Sequence, residues 1–337
     1  MTTLKPARLG ADLVVPEQGF GGMALSDVYG AADPDESLAT LNRALDLGVR
    51  LIDTANVYGG GRNEELIARL IAERRDEVVL ATKFGILSEP DADGYRARGD
   101  APYVRESVEA SLRRLGTDRI DLYYYHRVDA RVPIEETVGA LAELVADGTV
   151  GHIGLSEVTA LELERAVAVH PIAAVQSEWS LWSRDVERHV VPTAVRLGVG
   201  FVAYSPLGRG FLTGSVTELG PDDLRRRFPR FSDGRLAANR SIAETVRRLA
   251  EHEGVTPAQL ALAWLYARGA ELGVEVVPIP STRRAERVDE NVAAAAVTLS
   301  AETLRELGEL YATVDGERAS DPLAVSVGRE RVERADR

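Results

Sequence analysis

From residue 35 onwards, short runs of aliphatic and β-branched residues alternate with longer segments whose apolar positions recur at helical spacing. That alternation predicts a parallel sheet covered by helices. Leu38, Leu41 and Leu45 form one apolar face of a first helix, with Asp33, Pro34 and Glu36 as N-cap, first helical position and capping-box carboxylate and Gly48 as its stop. The cycle then repeats: strand 50–54, helix 63–72, strand 78–83, and a helix with Val104, Val108, Leu112 and Leu115 on one face before Gly116. Strand 120–125 leads to a helix carrying Ile134, Val138, Leu141 and Val145 that ends at Gly148, then to strand 151–156 and a helix over 160–168. Segments 173–176, 200–205 and 274–280 read as three more strands, and 19–23 as the first, which makes eight.

Eight inner strands with helices between them predict a single (β/α)8 TIM barrel over about residues 19–312, with an N-terminal β-hairpin before it and active-site loops at the C-terminal rim. No linker rich in Pro, Gly and Ser divides the chain, so residues 1–337 read as one domain. A doubly wound open sheet would need a glycine-rich turn after an early strand and a ribose-binding acid about 20 residues on. Gly208, Gly210 and Gly214 come late and precede a loop, so they read as a turn. Residues 214–239, rich in Arg and Asp and without periodicity, are the expected loop after the seventh strand. The charged segment 315–337, with Pro322, is expected to be an irregular, partly disordered tail.

Composition narrows the chemistry. A net charge of −13 repels a phosphate backbone, so nucleic acid is not the expected partner. The absence of cysteine rules out disulfides, thiolate metal sites and a cysteine nucleophile, and suits a reducing compartment. No apolar run approaches the roughly 20 residues a membrane helix needs, and the N-terminus has no basic-then-apolar signal, so a cytoplasmic protein without a membrane partner is expected. His152, His170, His189 and His252 lack metal-ligand spacing, so no metal is expected. No heptad or interface helix sets an oligomeric state.

Barrel enzymes place reactive groups at the C-terminal ends of their strands. Asp53, Lys83 and His126 close three predicted strands, and Tyr58 follows Asp53 in a loop containing Gly59, Gly60 and Gly61. These four suit carbonyl reduction: a phenol donates a proton to oxygen as hydride reaches carbon, a nearby ammonium lowers the phenol pKa, a carboxylate holds that ammonium, and an imidazole orients the carbonyl. Trp179, Trp182 and Tyr29 fall near the rim and could wall a substrate pocket, and Phe231 lies in the long loop.

The context of these residues is similar to the aldo-keto reductase superfamily. Asp53-Thr54-Ala55-Asn56-Val57-Tyr58-Gly59, Ala81-Thr82-Lys83-Phe84-Gly85 and Asp121-Leu122-Tyr123-Tyr124-Tyr125-His126-Arg127-Val128-Asp129 resemble its Asp, Tyr, Lys, His tetrad in order and surroundings. Gly154-Leu155-Ser156-Glu157, Gln176-Ser177-Glu178-Trp179-Ser180 and Ala203-Tyr204-Ser205-Pro206-Leu207-Gly208-Arg209-Gly210 resemble further blocks, especially in the branch of pyridoxal reductases and auxin-induced-protein-like reductases. The likeness runs from about residue 9 to about residue 312. It implies Tyr58 as proton donor, Lys83 and Asp53 as its tuning pair, and a bound nicotinamide cofactor at the rim. It also implies that Ser156, Glu157 and Gln176 meet the carboxamide, that Tyr204 stacks on the nicotinamide, and that Ser205, Pro206, Leu207, Gly208 and Arg209 line the pyrophosphate, with Gly22, Met23 and Asp53 also in contact. Glu157 stands where many members have Asn, and Ser281 where Gly or Lys is common.

The stretch 279–291 resembles the family's adenosine-phosphate block, with Pro280, Ser281, Thr282, Arg283, Arg287, Glu290 and Asn291 as implied contacts. Thr282, Arg283 and Arg287 suit a 2′-phosphate, because a guanidinium makes paired, charge-assisted hydrogen bonds to phosphate oxygens. NADPH/NADP+ is therefore expected over NADH, with a small carbonyl compound as substrate on the side of Tyr29, Tyr58, His126, Trp179 and Phe231. A second reading on the same fold is a nucleotide-binding regulatory subunit with little turnover, resembling potassium-channel β subunits.

Overall fold

The computed structural model of the chain describes residues 3–94, 96–221 and 223–335, except for the side chain of Asp233. An antiparallel hairpin, β1 (Pro6–Leu9) and β2 (Leu13–Pro16), comes first. Eight parallel strands follow in chain order, each bonded to the next: β3 (Phe20–Gly21), β4 (Leu51–Asp53), β5 (Val79–Phe84), β6 (Ile120–Tyr125), β7 (Val150–Ser156), β8 (Ala174–Glu178), β9 (Gly200–Tyr204) and β10 (Val276–Pro278). The first strand then meets the last. Gly19 N–H donates to Pro278 O at 3.0 Å and Gly21 N–H to Pro280 O at 3.2 Å, while the two prolines have no N–H to return across the seam.

The helices are α1 (Pro34–Asp46), α2 (Arg62–Arg74), α3 (Ala101–Leu115), α4 (Ile134–Ala146), α5 (Ala160–Val167), α6 (Val190–Leu197), α7 (Asp233–Ala238), α8 (Arg240–Glu253), α9 (Pro257–Leu272), α10 (Ala285–Ala293), α11 (Ala301–Glu309) and α12 (Ser326–Ala335). Local sequence sets their ends. Asp33 caps α1 by accepting from Asp35 and Glu36 N–H, and α5 and α9 carry complete capping boxes at Thr159/Glu162 and Thr256/Gln259.

Alternation along the strands decides what faces the barrel axis. Leu51, Ala81, Leu122, Tyr124, Ala174, Val202 and Val277 join the inner cluster, together with Leu9, Leu13 and Val15 of the hairpin, while Ile52, Leu80, Tyr123, Ile153, Val175 and Phe201 pack under the helices. The hairpin therefore plugs the N-terminal end. A Cβ on Gly200 would lie 2.7 Å from Leu9 Cα, and one on Gly154 would lie 2.3 Å from the Tyr124 ring. Continuing each inward register by two residues carries Asp53, Lys83, His126, Ser156, Gln176 and Tyr204 to the opposite, open end.

Three segments differ from the sequence expectation. β3 is only two residues long, because the backbone turns into a 3-10 helix at Gly22–Leu25, and β10 is likewise shorter than 274–280. The segment after residue 315 is not an irregular tail as far as it is described: α12 forms, Arg318 is buried, and Arg329 donates to both carboxylate oxygens of Glu162. Arg318 and Arg329 are internal ion-pair partners, while Glu317, Arg331 and Arg334 remain exposed. Residues 336 and 337 lie outside the described residues. In the long loop after β9, Asp222 also lies outside them, while 3-10 turns form at Leu224–Arg227 and Pro229–Phe231 before α7.

Candidate active site

Lys83 Nζ donates to Asp53 Oδ1 and, at 2.7 Å, to Thr54 O; both side chains are buried. The second oxygen of Asp53 accepts from Gln176 Nε2 at 2.9 Å. Tyr58 starts a 3-10 turn in which Gly59, Gly60 and Gly61 all have positive φ, the conformation that lets three residues bend the chain back over the rim. Its ring centroid is 5.2 Å from Lys83 Nζ and 6.0 Å from the His126 ring, which meets it edge-on. His126 is buried, and its Nδ1 has no hydrogen-bond partner among the described residues.

Burial dominates the titration of these groups. It pushes Asp53 up and Lys83 down, each opposed by the other's charge. His126 is held well below its ordinary value by burial, then by the Arg127 and Lys83 charges, so its ring is neutral. Tyr58 is pushed well above its ordinary value, first by burial and then by the Asp53 carboxylate. That is the reverse of the lowering expected from Lys83. The lysine is hydrogen-bonded to Asp53 and Thr54, and the nearby charges that oppose the rise are Arg127 and Arg209. The phenol keeps its proton through the neutral range, as a free phenol does, and its raised value makes it a weaker donor until charge develops on the acceptor oxygen.

These side chains stand at the inner end of a cleft of about 1090 Å³. Of the residues expected to contact cofactor, Met23, Asp53, Ser156, Gln176, Tyr204, Ser205, Pro206, Leu207, Arg209, Pro280, Ser281, Thr282, Arg283, Arg287, Glu290 and Asn291 line it. Tyr29, Tyr58 and His126 line it too, while Lys83 lies behind them. Asp27, Glu157, Ser205 and Arg209 are the described non-glycine residues with positive φ, and each sits in a loop following a barrel strand, where strain accompanies a tightly specified rim.

Trp179, Phe231, Gly22, Gly208 and Glu157, expected at the site, do not line the cleft. Trp179 is fully buried, donates from Nε1 to Glu187 at 3.0 Å and packs edge-on against Phe201, so it faces the helices and not a substrate. Phe231 is buried edge-on against Trp182 and near Phe211, for the same reason. Gly22 lies close to other protein groups: a Cβ there would sit 2.8 Å from Asn63 Oδ1 and 2.9 Å from Asp53 O. Gly208 turns towards Trp182, with its hypothetical Cβ 2.8 Å from Nε1. Glu157 is a buried carboxylate that accepts from Tyr204 OH at 2.7 Å and from Arg318 at 2.9 and 2.7 Å, leaving it outside the cleft lining.

Sequence reasoning missed Arg127 and Arg284. Arg127 lines the cleft and donates to Ser156 Oγ at 3.1 Å; the rule that singles out strand-end residues stops one position short, at His126. Arg284 lines the far end of the cleft with Arg287, and neither has an ion pair among the described residues. Arg283, by contrast, already donates to Gly30 O and Ala31 O at 2.9 and 2.6 Å. Arg284 precedes α10, whose N-terminus lacks a side-chain cap, and Arg284 and Arg287 both line the cleft. That donor set fits an anionic phosphate.

A plugged parallel barrel with a buried Lys–Asp pair, a protonated phenol, a neutral imidazole and a phosphate-compatible far end defines an oxidoreductase-type barrel. The match confirms the class: residues 18–312 fit the aldo/keto reductase family model, and the chain belongs to that family. Among solved structures it is similar to the glycerol dehydrogenase AKR11B4 from Gluconobacter oxydans, at 27% identity and TM-score 0.81 over 95% of this chain and 98% of that one. It is also similar to the thermostable aldo-keto reductase Tm1743, solved with the inhibitor epalrestat, at 30% identity and TM-score 0.71 over 91% of this chain and 100% of that one. No helix among the described residues is long and apolar enough to cross a membrane.

Proposed function

We propose that this chain reduces a small aldehyde or ketone to the alcohol with NADPH, using Tyr58 as proton donor. Family membership implies NAD(P)H-dependent carbonyl reduction. The observation that carries the finer reading is the convergence of Tyr58 and His126 on one cleft in front of the buried Lys83–Asp53 pair. Arg284, Arg287 and Thr282 would hold a 2′-phosphate, while Ser156, Gln176 and Tyr204 would hold the nicotinamide end. The cofactor, when bound, supplies the hydride.

The protein's own groups do the rest. Neutral His126 donates a hydrogen bond to the substrate oxygen, and Tyr58 transfers its phenolic proton to that oxygen as negative charge develops. Lys83, held charged by Asp53, stabilises the phenolate left behind. Tyr29, Val28, Ile86 and Phe228 give the cleft an apolar side for the carbonyl's substituents. The Ser156–Glu157 pair supports the pyridoxal-reductase-like branch, so pyridoxal belongs in the substrate panel beside aromatic aldehydes and diketones.

The test follows absorbance at 340 nm with that panel and both reduced cofactors, comparing wild type with Tyr58→Phe. The reading expects turnover that falls by about 10²–10⁴-fold in the variant. Cofactor binding with no turnover above that of the variant would favour the regulatory-subunit reading instead.

A further inference from the structure

We propose that the segment beyond the family-matched core belongs to the cofactor site: Arg318, acting through Glu157, positions the Tyr204 ring and the Ser156 strand end for the nicotinamide. Glu157 follows β7 directly, at φ 56°, between the two groups it would serve. One of its oxygens accepts from Tyr204 OH at 2.7 Å, Glu178 N at 3.1 Å and Arg318 Nη1 at 2.9 Å. The other accepts from Arg318 Nη2 at 2.7 Å and Ser326 N at 3.1 Å. Arg329 also donates to the Glu157 carbonyl. A carboxylate buried this deeply is tolerable only with a paired cation and satisfied lone pairs, and the cation arrives from 161 residues further along the chain.

The consequence reaches the cleft through one bond. Tyr204 lines the cleft, and its hydroxyl partner is the carboxylate that Arg318 fixes. A two-pronged guanidinium sets both position and tilt of that carboxylate, which a single ammonium cannot do. Arg318 simultaneously pairs with Asp185 at 2.9 Å, tying the same point to the segment before α6. Arg318 is accordingly a positioning residue.

The inference rests on the NADPH reading above, and the test separates the two. NADPH dissociation constants, kcat, carbonyl KM and thermal midpoints are measured for wild type, Tyr204→Phe, Arg318→Lys and the two combined. Tyr204→Phe keeps the ring and deletes only the hydroxyl. The expected result is a dissociation constant raised about fivefold or more in each single variant, with Tyr204→Phe melting within about 3 °C of wild type. The combined variant should be no worse than the weaker single one, because both break the same chain of bonds. Folded variants that bind NADPH as wild type does overturn the inference. If Arg318→Lys does not fold, Tyr204→Phe decides the matter alone. Wild-type protein that binds no nicotinamide cofactor overturns the NADPH reading and this inference with it.

Discussion

Lys83 and Asp53 meet as a buried ion pair inside the barrel. Breaking such a pair from one side strands an uncompensated charge, whereas removing both charges does not. Asp53→Ala is therefore expected to cost about 3–5 kcal/mol of stability, and Asp53→Asn combined with Lys83→Met much less. Urea unfolding of the three proteins checks this. A single-variant loss below about 1 kcal/mol would show that the pair is not held as described.

Arg287 lines the far end of the cleft and has no ion pair among the described residues. If it serves a 2′-phosphate, Arg287→Ala should raise the NADPH KM about 10–100-fold, the range of a lost hydrogen bond to a charged group, and barely move the NADH KM. Steady-state kinetics with both cofactors decide it. Equal shifts would remove the phosphate assignment.

Glu330 on α12 is pushed from its ordinary 4.5 up to about 7, chiefly by burial, with an opposing hydrogen bond from the Ala160 backbone and smaller effects of Asp185, Glu333 and Arg334. One of its oxygens has no partner among the described residues. Because the folded value is raised, the folded state holds the extra proton: the contribution is complete below about 4.5 and is lost as pH rises through about 7. Glu330→Gln should flatten this part of the melting-temperature profile and melt a few degrees higher than wild type at pH 8. A variant whose profile parallels wild type would refute it.

Gly200 begins β9 against the hairpin plug, where a Cβ would lie 2.7 Å from Leu9 Cα, a backbone atom that cannot swing aside. Gly200→Ala is expected to destabilise by about 1–3 kcal/mol through overpacking. Gly116→Ala is a poor control because φ there is positive, but Gly139→Ala on α4, with open space around it, should be neutral or stabilising. Chemical denaturation of the two variants tests the contrast.

Much of this architecture was legible in the chain. Strand 120–125 coincides with β6, and the strand-end positions of Asp53, Lys83 and His126 follow from period-2 alternation once the barrel is recognised. The aromatic wall was not legible, because periodicity cannot tell which side of a rim loop a tryptophan faces; Trp179 and Phe231 turned outward to the helices. The role of residues 315–335 was hidden for a different reason. Charge-rich sequence reads as solvated surface, and only three-dimensional pairing reveals that Arg318 and Arg329 answer Glu157, Asp185 and Glu162. The rise of the Tyr58 pKa was hidden as well, because sequence shows the proximity of Lys83 but not the burial that outweighs it.

The pairing of Arg318 with Glu157 also separates two kinds of boundary. The family-model match ends at residue 312, and a chain shortened there would retain every barrel strand and the Asp53, Tyr58, Lys83 and His126 side chains. It would nevertheless leave Glu157 and Asp185 buried with no counter-charge from Arg318. The end of the family-model match and the end of the buried ion-pair network thus fall at different points, and an expression fragment designed on the first would cut through the second.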